Sequence, residues 1–300
     1  MNDKVKAHIA LSSVALIYGM NYTIAKDVMV KEYMTPFGFI MLRTMAGALL
    51  FFLFHAIFIR EKMEKKDIAY AALCSVFGVT INMLAFFEGL KHTSPIHGSL
   101  FMLLCPLLIL VFGTFIIKER ITSKKILGII IGLIGAAILI IYSGTSNDKV
   151  ASFYGDALIM LNASSYALYL VLVRRLIKKY NPITVIKWVF IFGMIAVIPF
   201  GGEELLQTDW LTFTPDIWLS VFYVLIFTTF CAYLFNAYAL TKVLPSTVGF
   251  YIYFQPLVAT AFAILVGKDH LDSVKIISAM LLFFGVYLIN KQADSVKELK

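Results

Sequence analysis

Neutral side chains that water can wet recur at helical spacing in five apolar stretches of this 300-residue chain. Tyr18, Asn21 and Tyr22 fall at i, i+3 and i+4, and Asn82 and Phe86 lie four apart; Asn162, Tyr166 and Tyr169, then Thr229, Tyr233 and Asn236, then Thr247, Tyr251 and Gln255 repeat the pattern. Such spacing puts each set on one side of its helix. Phenols and amides offer hydrogen bonds without stranding a charge, as a solute cavity in an apolar medium requires. The same residues can also bond one helix to the next, and for any single one that packing role is the alternative. The candidate substrate contacts are Tyr18, Asn21, Arg43, Asn82, Phe86, Tyr166, Tyr169, Tyr233, Asn236, Tyr251 and Gln255.

Gln255 directly precedes Pro256, which deprives a backbone carbonyl of its helical donor, so a polar group and a bend coincide there. The related positions Phe101, Cys105 and Pro106 keep the proline and lose the polarity, so the second half is expected to supply more of the hydrogen bonding. Arg43 is the clearest charge inside an apolar run. It suits a substrate carboxylate, and equally snorkelling or a bond to backbone carbonyls. Glu88 sits at the end of its run beside Lys91 and His92, Lys187 and Trp188 read as interfacial anchors, and Glu119 and Asp269 read as structural residues of end turns. The other acidic residues lie at run ends or in loops, so no carboxylate relay is expected, Glu88 being the one exception open to a substrate or proton role, and passage of a solute would be facilitative or loosely coupled to protons.

Catalysis has little to work with. The chain has no H-E-x-x-H, no G-x-S-x-G, no aspartate-rich diphosphate cluster and no Walker-type loop, and His8, His55, His92, His97 and His270 are scattered. An intramembrane transferase is the distant alternative, and no cofactor or metal is called for. Cys74, Cys105 and Cys231 lack the spacing of a metal site or a disulfide framework.

The elements that must position these residues follow from composition. Hydrophobic residues make up 60% and charged residues 15%, against roughly 45–50% and 25% in soluble domains. Continuous apolar segments at 7–25, 36–59, 68–88, 96–117, 126–142, 154–173, 183–201, 216–238, 246–266 and 275–290 approach the ~20 residues that span a bilayer as a helix. Their continuity argues against a barrel with alternating faces. No small-residue cleavage site follows Lys4 and Lys6, so the first helix is expected to be retained. The net charge of +8 does not imply nucleic acid, because the basic residues cluster at span ends. With both termini cytoplasmic, 18 basic residues fall inside and 6 outside, the expected sign for a cytoplasmic-membrane protein.

The chain is also duplicated. Pro95, Pro106, Lys118, Ser123, Lys125, Ile126 and Gly135 recur 150 residues later as Pro245, Pro256, Lys268, Ser273, Lys275, Ile276 and Gly285, while Pro36 and Gly47 match Pro182 and Gly193 at an offset of 146. Five helices per copy is an odd number, so the second copy must enter the membrane from the opposite side. The expected fold is an all-α polytopic membrane protein of ten transmembrane helices in two inverted five-helix repeats, 1–145 and 150–292, with a polar linker at 143–152 and a cytoplasmic tail at 293–300. Gly128, Gly132 and Gly135, with Gly285 in the copy, form a small-residue stripe suited to close helix approach. Thr122 and Asp272 are matching helix starts.

In this order the motifs resemble those of EamA-type members of the drug/metabolite transporter superfamily, over essentially the whole length. The carriers of the resemblance are Tyr18-Gly19-Met20-Asn21-Tyr22-Thr23-Ile24-Ala25-Lys26, similar to a Trp-Gly-x-Asn-Phe start; Leu42-Arg43; Pro106 with Lys118-Glu119-Arg120-Ile121-Thr122; and the degenerate copy Pro256 with Lys268-Asp269-His270-Leu271. Tyr18 replaces the usual Trp and Asp269 the usual Glu. The resemblance implies ten helices, cytoplasmic termini, and export of amino acids or related metabolites; an importer or a bidirectional facilitator of another metabolite or drug is the runner-up. The partners it implies are a small-molecule substrate and the lipid bilayer, with the oligomeric state left open and a monomer admissible.

Overall fold

The computed structural model describes residues 3–30, 33–92, 101–119, 121–143, 153–265 and 273–295. Pro95, His97, the linker at 144–152, Arg120, Lys268, Asp269, His270, Leu271, Asp272 and the last five residues lie outside them, as do the side chains of Tyr22, Lys91 and Lys275. Among the described residues every regular element is helical. The helices are α1 (Asp3–Val30), α2 (Pro36–Ile59), α3 (65–92), α4 (Cys105–Ile117), α5 (Ser123–Ser143), α6 (Phe153–Ile177), α7 (Pro182–Leu206), α8 (Pro215–Lys242), α9 (245–265) and α10 (Ser273–Ser295). Five of them, α2, α6, α7, α8 and the stretch Lys65–Gly89 of α3, are long and apolar enough by themselves to cross a membrane.

Local chemistry sets the helix starts. α2, α7, α8 and the first part of α9 each carry proline in their first turn, where its missing N–H costs nothing. Thr35 Oγ1 accepts from Gly38 N at 3.3 Å and Asn181 Oδ1 accepts from Ile183 N at 3.0 Å, so each caps its helix. α2 and α4 stop at Arg60 and Lys118, which adopt left-handed φ values of 51° and 53°.

Three spans are not regular throughout. α2 ends in a π turn at His55–Ile59, and α3 and α8 carry π segments at Val76–Thr80 and Val224–Cys231. A π turn loosens the carbonyl ladder, so buried carbonyls there need other donors. In α3 they receive Ser165 Oγ at Phe77 O (2.7 Å) and Tyr233 OH at Gly78 O (3.2 Å); in α8, Val224 O receives Thr228 and Thr229. The chain also breaks ahead of both repeat prolines, with a turn at 103–104 before Pro106 and a 3-10 turn at Tyr251–Tyr253 before Pro256. Tyr253 OH donates to Leu103 O at 3.1 Å, joining the two breaks across positions 150 residues apart.

The packing repeats with the halves exchanged. α2 lies along α7 and α5 along α10; α3 packs on α6 as α8 packs on α1; α4 packs on α6 as α9 packs on α1. This is the signature of two five-helix repeats about a pseudo-two-fold axis. The small-residue stripe packs against α10 and α9: a Cβ on Gly285 would stand 2.8 Å from Gly128 O, and one on Gly132 would stand 2.7 Å from both Phe250 and Tyr253 of α9. Outward faces remain apolar, as with Leu49, Phe52 and Phe58 on α2, Ile130, Ile134 and Ile141 on α5, and Met280, Phe283 and Phe284 on α10. Such a belt suits lipid, and the chain is an integral membrane protein.

At the end of the bundle where α1 begins, called here the near end, polar ties join the loops. Lys179 Nζ donates to Glu64 Oε1 and Asp67 Oδ2, both at 2.7 Å, and Tyr180 OH donates to Asp67 Oδ2 at 2.8 Å. The Lys179 pKa is raised by Asp67 first and Glu64 next, while Lys179 and Lys66 hold the Glu64 carboxyl below its ordinary range.

Candidate functional site

One cleft opens between α1, α6, α8 and α9. Its walls are Val14, Ala15 and Tyr18 from α1, Tyr166 and Leu170 from α6, Asn236 from α8, and Val248, Tyr251, Ile252 and Gln255 from α9. The broken start of α9 lies in this wall, with Tyr251 in the 3-10 turn and Gln255 just before Pro256. Apolar residues make the body of the cleft, and Tyr18, Tyr166, Asn236, Tyr251 and Gln255 make its polar points. Asn236 Nδ2 reaches Tyr166 OH at 3.4 Å, and the Tyr251 hydroxyl meets His8 Nδ1 at 2.9 Å. The cleft leaves about 10 Å³ for the centre of a water molecule, roughly what a single water needs. A solute can occupy it only if the helices part.

Arg43 stands beside this cleft. Its Nε donates to Thr229 Oγ1 at 3.3 Å, and its guanidinium lies in the electrostatic neighbourhood of Tyr18 and Tyr233. The π segment of α8 contributes here, since Thr229 both donates to Val224 O at 2.9 Å and accepts from Arg43. No carboxylate pairs with Arg43 among the described residues. Nor does a backbone carbonyl accept from Arg43 among the described residues.

Other candidates go elsewhere. Tyr233 spends its hydroxyl on Gly78 O and packs its ring on Phe190 at 4.8 Å, and Tyr169 is buried against Gly78. Asn82 does not line the cleft: Asn82 Nδ2 donates to Asn162 O at 3.4 Å and Asn162 Nδ2 to Asn82 O at 2.6 Å, a reciprocal tie between α3 and α6. Phe86 packs edge-on against Phe87, and Asn21, whose Oδ1 is buried without a partner, also stands outside the cleft wall. Glu88 pairs with His92 at 3.2 Å and keeps 28% of its side chain exposed.

One near-end residue differs from expectation. Lys187 is buried rather than an interfacial anchor: its Nζ donates to His55 Nδ1 at 3.3 Å, while His55 Nε2 binds Glu61 O at 3.0 Å. Glu119 sits in its end turn, yet its side chain has no exposure. It accepts from Lys125 Nζ at 2.7 Å and from the Ser246 hydroxyl, which ties α5 of the first repeat to α9 of the second. His8, which meets the Tyr251 hydroxyl, is the residue that sequence reasoning missed. It looks isolated in composition, but it shares the stripe 8, 11, 15, 18 with Ala15 and Tyr18, and that stripe was the signal.

Comparison with known proteins agrees in kind. A model described as the EamA-like transporter family matches residues 5–141 and 153–291. An uncharacterized transporter of Archaeoglobus fulgidus is 25% identical over 95% of this chain and 99% of its own length. The uncharacterized transporter YyaM of Bacillus subtilis is 26% identical over 76% of this chain and 74% of its own length. The chloroplastic WAT1-related protein At3g02690 of Arabidopsis thaliana is 24% identical over 68% of this chain and 50% of its length. A solved structure described only as "Crystal structure of protein" superposes with a TM-score of 0.78 at 17% identity, covering 97% of this chain and 99% of that one.

Proposed function

The chain belongs to the EamA-like transporter family, within the drug/metabolite transporter superfamily, and from that premise we propose that it exports amino acids or related small metabolites by alternating access. The observation that carries this reading is the cleft itself. Helices of both repeats wall it, its polar points are neutral, and it is too narrow for a solute until the helices part. Tyr18, Tyr166, Asn236, Tyr251 and Gln255 bond the substrate, Arg43 stands at their side, and Tyr169, Tyr233, Asn21, Asn82 and Phe86 hold the helices that carry them. The basic near end faces the cytoplasm, the host bilayer is the cytoplasmic membrane, and the solute's own gradient drives the flux.

The test compares metabolite pools inside and outside cells that carry the protein, carry a Tyr251→Ala/Gln255→Ala variant, or lack both. Export moves one or more existing compounds from cell to medium in the first strain alone. A new compound with no redistribution would instead indicate intramembrane chemistry, and accumulation inside the cells would indicate import.

A further inference from the structure

We propose that Arg43 is the carboxylate-recognition residue of this cleft, so that the cargo carries a carboxylate and is refused when that group is masked. The inference rests on the transport reading for its cargo, but its own support is local. Arginine has five N–H donors in a planar fork. Arg43 uses one of them, on Thr229 Oγ1, and no other acceptor takes its remaining donors among the described residues. Arg43 is nevertheless half-buried rather than sealed off, and Tyr18 and Tyr233 are the groups that its charge feels. Tyr18 also walls the cleft, so the guanidinium and the cleft share a boundary.

A cation in the bilayer interior is costly, and such residues pair with another group or mark a solute path. Among the described residues the side chains around Arg43 supply hydroxyls and no negative charge, which leaves the site one charge short. A planar carboxylate matches the two-pronged face of the guanidinium that Thr229 leaves free. A phosphate dianion would want a second cation, and none neighbours Arg43 among the described residues. The apolar walls Val14, Leu170, Val248 and Ile252 then take the body of the solute.

Ligand-induced thermal stabilisation of the purified full-length protein in nanodiscs tests this, using matched pairs at constant ionic strength: phenylalanine and its amide, leucine and its amide, 3-phenylpropionate and its amide. The carboxylate of at least one pair should bind roughly ten-fold or more tightly than its amide, as expected for a charge-assisted bond. Arg43→Gln should erase that difference and Arg43→Lys should keep part of it, with ligand-free melting and size-exclusion profiles checking the fold of both. Amides binding as well as acids, an acid preference that survives in folded Arg43→Gln, or a panel in which no carboxylate binds would each overturn the proposal. An intact, Arg43-dependent acid preference without metabolite redistribution in cells would sink the transport reading alone.

Discussion

At the residue scale, a hydroxyl and an amide at one bend decide the account. Tyr251 and Gln255 lie a helical turn apart on the cleft wall, and the Tyr251 hydroxyl is aimed by His8 from α1. Replacing either by alanine removes a cleft hydrogen bond worth about 1 kcal/mol, or roughly five-fold in binding. Tyr251→Ala and Gln255→Ala should thus lower transport rates while membrane abundance stays near normal, measured as initial flux per amount of protein by immunoblot. Normal flux in both would remove them from the site. Five of the eleven candidate residues line the cleft. Tyr233 and Asn82 diverge for a physical reason: a polar stripe satisfies its hydrogen bonds equally well against a neighbouring helix, as Tyr233 does on Gly78 O and as Asn82 and Asn162 do for each other. Spacing identifies the stripe without telling which neighbour it meets.

At the element scale, the spans were legible because each is a long apolar run, and the duplication told how they pair. The ends were less so: α1 starts at Asp3, α7 continues to Leu206 and α10 to Ser295, because polar residues at a helix end extend it without breaking its hydrogen bonds. The π segments left no mark in the pattern, since their carbonyls are satisfied by residues as distant in sequence as Ser165 and Tyr233. Two substitutions probe the seams. Gly132→Leu drives a side chain into Phe250 and Tyr253 and should cost at least about 1–3 kcal/mol, read as lower abundance and melting temperature. Lys125→Ala leaves the unexposed Glu119 carboxylate without its cation and should cost about 3–5 kcal/mol, whereas the pair Glu119→Gln/Lys125→Met should cost clearly less. Equal melting temperatures for Lys125→Ala and the unmodified protein would show that Ser246 and the nearby Arg174 suffice to hold Glu119.

At the scale of the whole molecule, the two repeats enclose a narrow cleft, and the expected topology puts unequal numbers of basic residues on its two sides. Cysteines introduced at Lys65 and Lys178 should react with an impermeant thiol reagent only from the cytoplasm, and one at Gln207 only from outside; labelling of Lys178 and Gln207 from the same face would dismantle the inverted arrangement. The most direct measurement uses the same chemistry inside the cleft. With Cys74, Cys105 and Cys231 replaced, a single cysteine at Gln255 is exposed to an impermeant maleimide in right-side-out and in inside-out vesicles. Alternating access predicts labelling from each face in turn, at rates that a transported solute changes in opposite directions. Labelling from one face only, unaffected by any solute that the cells redistribute, would contradict it.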